Sequence, residues 1–464
     1  MPDIVSPIDH AVAFTYHELS EVEAFAKLDA AQAAQREWAE TPLADRVALC
    51  TRMLDAYRAS LEDNARAITK MVGKPLAQAR GEFEGGVVER TQSLCAQAAA
   101  ALADEVLEPR AGFRRVVRRE PVGVVLDIAA WNYPLLVPIN VIVPAVLAGN
   151  AVLIKHAPQT ALVAAQLEQA FSDAGAPAGL VQGFMASHAT VADVVHSRRV
   201  GALAFTGSVR GGHEVMRTVA YDNFIPTGFE LGGKDPALVL PDADLEFTAG
   251  NLVDGAFYNA GQSCCGIERI YVHADVYDRF IEAYAAGVRG YVLGNPLDDG
   301  VTLGPVVNEA AATRVRAHNA DAVAKGARSL VPADAFDVPD LSPCYLAPQA
   351  FDQCSHDMAL MREESFGPTV GIMKVVSAEE AVALMNDSVY GLTASIWSAD
   401  DTRAEALARR IQAGTVFLNR CDYLDPEMPW TGVKDSGVGC SLGRHGFGQV
   451  TRLKSYHLRT TLPT

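Results

Sequence analysis

Two doubly wound α/β units, each a parallel sheet with helices on both faces, are the fold that this chain's order of apolar runs predicts. From Val122 onward, short apolar runs alternate with helical stretches, and VGVVLDI (122–128), AVLIK (151–155), LVQGFM (180–185), ALAF (202–205) and PTGFEL (226–231) read as strands. A second series starts near Pro236 and continues through RIYVH, TVGIMKV, TASIWS and GTVFLN. Strands separated by helices pair in parallel through crossovers rather than as hairpins. The length, 464 residues, suits two or three cores.

The elements follow in order. MPDIVSPIDHAVAF (1–14) has neither the basic start nor the apolar centre of a signal peptide. The first hundred residues read as helices: Ser20 opens a run rich in alanine and charge, and 74–105 keeps helical composition with Gly81, Gly85 and Gly86 as weak points. FRRVVRRE (113–120) alternates charge with β-branched residues, as an exposed antiparallel strand does. The longest apolar run, 135–148, is broken by Pro138, Asn140 and Pro144, so no membrane span is expected and a cytoplasmic, soluble protein is. QTALVAAQLEQAFSDAG closes on Gly175 like a helix C-cap.

Composition excludes several functions. A net charge of −17 without a basic block argues against a nucleic-acid surface. The eight cysteines include no CxxC, there is no HExxH, and His188 and His196 lack carboxylate company, so neither a disulfide framework nor a metal site is expected. Reduced thiols are the default.

Ligands of open α/β sheets meet the loops at the carboxyl ends of strands. Four loops stand out. In AWNYP (130–134), Asn132 reads either as a helix cap or as a side-chain amide donor. FTGSVRGG (205–212) opens a helix whose N–H groups suit phosphate, although GxGxxG is absent. In FELGGKDP (229–236), Glu230 is either a structural ion-pair partner or a general base raised by burial. GQSCC (261–265) places two adjacent thiols in a polar turn, where a thiol is either a small buried hydrophobe or a nucleophile.

With EESFGP (363–368) and PWTGVKDSGVG (429–439), these motifs stand in the order and approximate spacing of the aldehyde dehydrogenase superfamily, which the chain resembles over nearly its whole length. The resemblance implies that Cys264 is the nucleophile, Asn132 and the Cys264 N–H stabilise the oxyanion, and Glu230 activates the hydrolytic water. By the same resemblance Trp131, Lys155, Gly207, Ser208, Glu364 and Phe366 hold NAD or NADP. Tyr133, Val137, Ser263, Leu424 and Trp430 line the aldehyde channel, whose aromatic and aliphatic members suit an apolar or aromatic aldehyde. The implied domains are a cofactor-binding one (1–108 and 122–231, with 436–450 returning to it), a catalytic one (232–435) and an oligomerisation element (109–121 and 451–464). The last implies a homodimer or homotetramer.

Some positions depart from the family. Pro158 stands where many NAD-preferring relatives carry a glutamate that grips the adenosine ribose, so NADP should also be accepted. Ala130 replaces a usual proline. Val141 and Ser441 replace a lysine and a glutamate thought to relay the base's proton, which leaves water or backbone for any relay. KHAP also resembles some bacterial succinate-semialdehyde dehydrogenases, in which reading Arg420 or another channel arginine would hold the substrate carboxylate. A coenzyme-A-acylating enzyme and an inactive binding protein are the rival classes; Glu230 disfavours the former, and retention of Cys264, Asn132, Glu230 and Glu364 the latter.

Overall fold

A computed structural model describes residues 1–461 of the chain. The first series of apolar runs forms a six-stranded sheet in the order Gly437–Val438, Thr227–Glu230, Ala202–Thr206, Val124–Ala129, Ala151–His156, Val181–Gly183, parallel except for the first strand. The two central apolar runs, VVLDIA and AVLIKH, are buried at every residue, as strands covered on both faces require. The strand order reverses between Val124–Ala129 and Ala202–Thr206. The AWNYP and FTGS loops therefore flank one switch point.

The second series forms a seven-stranded sheet, ordered Arg328–Ser329, Gln349–Asp352, Thr369–Val375, Ile267–His273, Asp235–Val239, Thr393–Trp397, Thr415–Leu418, antiparallel only at Arg328–Ser329. A third sheet pairs Thr451–Arg459 along its whole length with Phe113–Pro121, whose other edge takes Glu105–Val106. Residues 462–464 of the expected oligomerisation segment lie outside the described residues.

The N-terminal region is not helical throughout. A hairpin, Asp3–Val5 with Val12–Thr15, precedes the helices. Ser20 then caps Glu21–Trp38 through a reciprocal box with Glu23. The run with three weak glycines is a continuous helix whose middle, Glu82–Val87, widens to π winding between Leu76–Gly81 and Val88–Ala101. Residues Gln78, Glu82, Gly86 and Arg90 all line the same cavity. Four-residue steps in a pure α-helix overshoot by about 40° each, and the i→i+5 turn takes that drift back. The π segment thus keeps one face of a long helix on the cavity.

The long apolar run folds as the helix Leu136–Ala148, continuous through Pro144. Its first N–H groups, from Leu135 and Leu136, donate to Glu82 Oε1 at 2.8 and 3.1 Å. Glu82 is itself paired with Lys74 at 2.5 Å, both fully buried. Among the described residues no helix is long and apolar enough to cross a membrane, and no group of three or more His, Cys, Asp or Glu side chains is arranged to hold a metal ion.

Candidate active site

The turn that leads to Cys264 is built by three consecutive left-handed residues after the helix Leu245–Phe257: Asn259 (φ 52°), Ala260 (φ 55°) and Gly261 (φ 67°). Two are not glycine, and such backbone persists only where the surroundings fix it. They do. A Cβ on Gly261 would stand 2.3 Å from the Gly367 carbonyl oxygen. Gln262 Oε1 accepts from the Val307 N–H at 2.8 Å, and its carbonyl accepts from Asn132 Nδ2 at 3.0 Å and Asn259 Nδ2 at 3.2 Å.

Cys264 consequently reaches the wall of a cavity of about 660 Å³, within the size range of small-ligand sites. Cys265 also borders it but is buried, and its thiol donates to Asp422 Oδ1 at 3.0 Å, the oxygen that also accepts from Ser263 Oγ at 2.8 Å. The neighbouring Cys264 thiol and burial push Cys265 well above the usual thiol range, so it stays protonated.

Asn132 does not cap the following helix. Glu82 does that, and Asn132 ties the AWNYP loop to the nucleophile turn while lining the cavity. Glu230, at the end of Thr227–Glu230, accepts a very short hydrogen bond from the Ser441 hydroxyl. Backbone pairing of Ser441 with Trp430, N to O at 2.7 and 2.9 Å, fixes that hydroxyl. Burial raises the Glu230 carboxyl, while Ser441 and the nearby Arg90 guanidinium lower it. Glu230 is therefore engaged directly by the Ser441 hydroxyl.

Most of the remaining expected residues meet around this cavity. Trp131, Gly207, Ser208, Glu364 and Phe366 line it on one side; Tyr133, Val137, Ser263, Leu424 and Trp430 line it as well. Trp131 and Phe366 are edge to face at 5.6 Å. Ser208 Oγ accepts from the Gly211 N–H at 3.1 Å, capping the helix Val209–Asp222 whose N-terminus opens on the cavity. Glu364 Oε1 accepts from the Gly233 N–H at 2.9 Å; burial and nearby Glu268 push this carboxyl up to about 7.

Lys155 is not brought to the cavity wall. It is buried at the end of Ala151–His156 without a hydrogen bond or ion pair among the described residues, and the charge that acts on it is Glu18. His156 carries no charge there: its ring bonds the Pro134 carbonyl at 2.9 Å and Thr160 Oγ1 at 2.7 Å, and burial holds it down at about 4. Arg420, the arginine named for a substrate carboxylate, is exposed and does not itself line the cavity; it stacks at 3.4 Å over the ring of Tyr423, which does.

Sequence comparison agrees with this geometry. The sequence profile of the aldehyde dehydrogenase family matches residues 2–456. The chain belongs to the aldehyde dehydrogenase family. It is 34% identical to an aldehyde dehydrogenase of Paenarthrobacter nicotinovorans over 95% of this chain and 96% of that one. It is 31% identical to succinate-semialdehyde dehydrogenase [NADP(+)] 1 of Mycobacterium tuberculosis over 97% and 98%. The crystal structure of an NAD-dependent aldehyde dehydrogenase from Sinorhizobium meliloti superposes with a TM-score of 0.94 at 32% identity, covering 100% of this chain and 92% of that one.

This aldehyde dehydrogenase family member also places in the cavity residues that its motifs do not name: Arg90, Asp254, Tyr258 and Asp422. Asp422 follows the strand Thr415–Leu418, and that strand-end position was the only signal available for it. Arg90 had none, since it sits in a helix of unremarkable composition.

Proposed function

We propose that the protein oxidises an aldehyde to a carboxylic acid by covalent catalysis on Cys264. The observation that carries this is the meeting of Cys264, Glu230 and Asn132 on one cavity, with the second thiol buried and bonded to Asp422. Cys264 Sγ adds to the carbonyl carbon, and the Asn132 amide and the Cys264 N–H receive the oxyanion. After oxidation the acyl group remains on Cys264 as a thioester. Glu230 takes a proton from water, the water attacks the thioester, and the acid leaves.

The residues present fit a nicotinamide dinucleotide. Lys155 is a buried amine without a protein partner, the Ser208-capped helix directs its N-terminus at the cavity, and Glu364 offers a carboxylate to ribose hydroxyls. When bound, that group accepts the hydride. Trp131, Gly207, Ser208 and Phe366 complete its cradle. NADP and NAD, the cofactors for which the two relatives above are named, are both admitted by this reading. The same proposal assigns cofactor binding to 1–108, 122–231 and 436–450, catalysis to 232–435, and subunit pairing to the three-stranded sheet in a homodimer or homotetramer.

The test separates the half-reactions. Cys264→Ala should abolish oxidation of every aldehyde while Cys265→Ala keeps most of it. Glu230→Gln should give a burst of about one reduced nicotinamide per site and then stall as an acyl-enzyme. Equal loss in both cysteine variants, or no burst with cofactor binding intact, would overturn the roles assigned.

A further inference from the structure

Two arginines line the cavity: Arg314 is exposed and donates Nε to the Ser365 carbonyl at 3.0 Å, whereas Arg90 is buried and, among the described residues, has no ion-pair partner. Arg90 is 7% exposed, on the helix Val88–Ala101, and lines the cavity together with Cys264, Glu230, Asn140 and Tyr258. Its single hydrogen bond runs from Nη1 to Asn140 Oδ1 at 2.9 Å. Among the described residues no carboxylate lies within ion-pair distance of it, and its remaining N–H groups have no protein acceptor and are not sealed off from the cavity.

Other buried cations of this chain are satisfied. Lys74 is paired with Glu82 and Lys234 with Glu268, each at 2.5 Å, while Arg269 spends its guanidinium on the carbonyls of Lys234, Leu384 and Met385. Lys155 is the exception, at the cofactor side. A guanidinium stays charged when buried, and an unanswered buried charge is strongly unfavourable. Its planar fork matches a carboxylate.

We infer that Arg90, held by Asn140, receives a terminal carboxylate of the substrate, so that the enzyme acts on short aldehydes whose far end is a carboxylate. This rests on the proposed aldehyde oxidation and narrows it. The seven carboxyls that share the cavity do not undo it: Glu82 is paired with Lys74, Glu230 is bonded to Ser441, Glu364 accepts from the Gly233 N–H, and Glu89 and Glu363 are exposed. Asp422 is committed through Oδ1 to Ser263 and Cys265, not to Arg90, and burial pushes both Asp422 and Asp254 toward the neutral acid. Arg90 meanwhile shares the cavity wall with Glu230 and Cys264, so a substrate whose reacting end lies at Cys264 has Arg90 within the same cavity. The apolar and aromatic lining expected from sequence then packs the chain between the two ends. The arginine of this reading is Arg90 and not Arg420.

Succinate semialdehyde, pentanal and 4-aminobutyraldehyde discriminate the carboxylate, neutral and cationic tails. Native enzyme should show a kcat/KM for succinate semialdehyde at least about tenfold above the other two, carried by KM. In Arg90→Met the ratio of succinate semialdehyde to pentanal should fall by at least about tenfold, and Arg90→Lys should recover part of it. A readout without turnover is succinate binding by calorimetry to Cys264→Ala, lost when Arg90→Met is added, with thermal unfolding confirming that both fold. A native preference for pentanal or the amine, or a loss in Arg90→Met that is equal for all three aldehydes, would overturn the inference and leave Arg90 as a partner of Glu230. If no aldehyde is oxidised, the proposed function fails instead, and succinate binding alone decides on Arg90.

Discussion

Glu230 is pulled in opposite directions by its surroundings, and in the proposed hydrolysis the balance sets the pH at which it starts. Burial raises its carboxyl; the Ser441 hydroxyl and the Arg90 charge lower it. Only the carboxylate can take a proton from water, so the rate must fall as pH drops through this group. Removing the hydroxyl removes a cause that lowers, and the acid limb moves up. Ser441→Ala is expected to shift the acid limb of kcat upward by about one pH unit, since a hydrogen bond to a charged group is worth roughly 1.5–3 kcal/mol. A pH profile from 5 to 9 with a saturating aldehyde checks it; an unmoved limb would mean that deacylation does not limit kcat or that Ser441 does not hold the base. In the sequence this serine registers only as a missing glutamate. Its contact with Glu230 depends on the pairing of Gly437–Val438 with Thr227–Glu230, which brings this segment beside the base position over a distance of chain in which no pattern carries information.

Among the elements, strands were the legible part. TVGIMKV occupies its expected strand, Thr369–Val375, and the parallel order of both sheets follows from runs that are apolar throughout. The hairpin Asp3–Val5 with Val12–Thr15 escaped because its strands are short and mostly exposed, so they carry little apolar alternation. The glycines at 81, 85 and 86 were read as weaknesses of a helix, whereas the chain widens there instead of breaking. The motif residues of the candidate site were legible as a resemblance; Arg90, Asp422 and Glu18 were not, because each acts through a tertiary contact. The turn Pro158–Thr160 beside Lys155 yields a prediction at this scale. Pro158→Glu should move the NAD to NADP ratio of kcat/KM toward NAD by at least about tenfold, through ribose hydrogen bonds and repulsion of a 2′-phosphate. If Glu18 already supplies that acid, the ratio stays and Glu18→Gln moves it toward NADP instead. The two variants together locate the determinant.

At the scale of the molecule, the three-stranded sheet leaves the edge of Thr451–Arg459 without a partner strand among the described residues and exposes Leu453, 65% accessible, and Val106, 74% accessible. An unprotected edge with apolar side chains invites a second strand. We expect a dimer or tetramer in light scattering at micromolar concentration, reduced to smaller species by Leu453→Lys; a monomeric native protein would refute the assignment of this sheet. The catalytic cavity is likewise a joint. Asn132 follows a strand of the six-stranded sheet and Gln262 precedes a strand of the seven-stranded one, and two 3.0 Å bonds, Asn132 Nδ2 to the Gln262 carbonyl and Asn259 Nδ2 to the Asn132 carbonyl, tie the turn carrying Cys264 across the joint. The alkylation rate of Cys264 is therefore a strain gauge: any load, solvent or neighbour that parts the two halves should register as a change in thiol reactivity before either half unfolds.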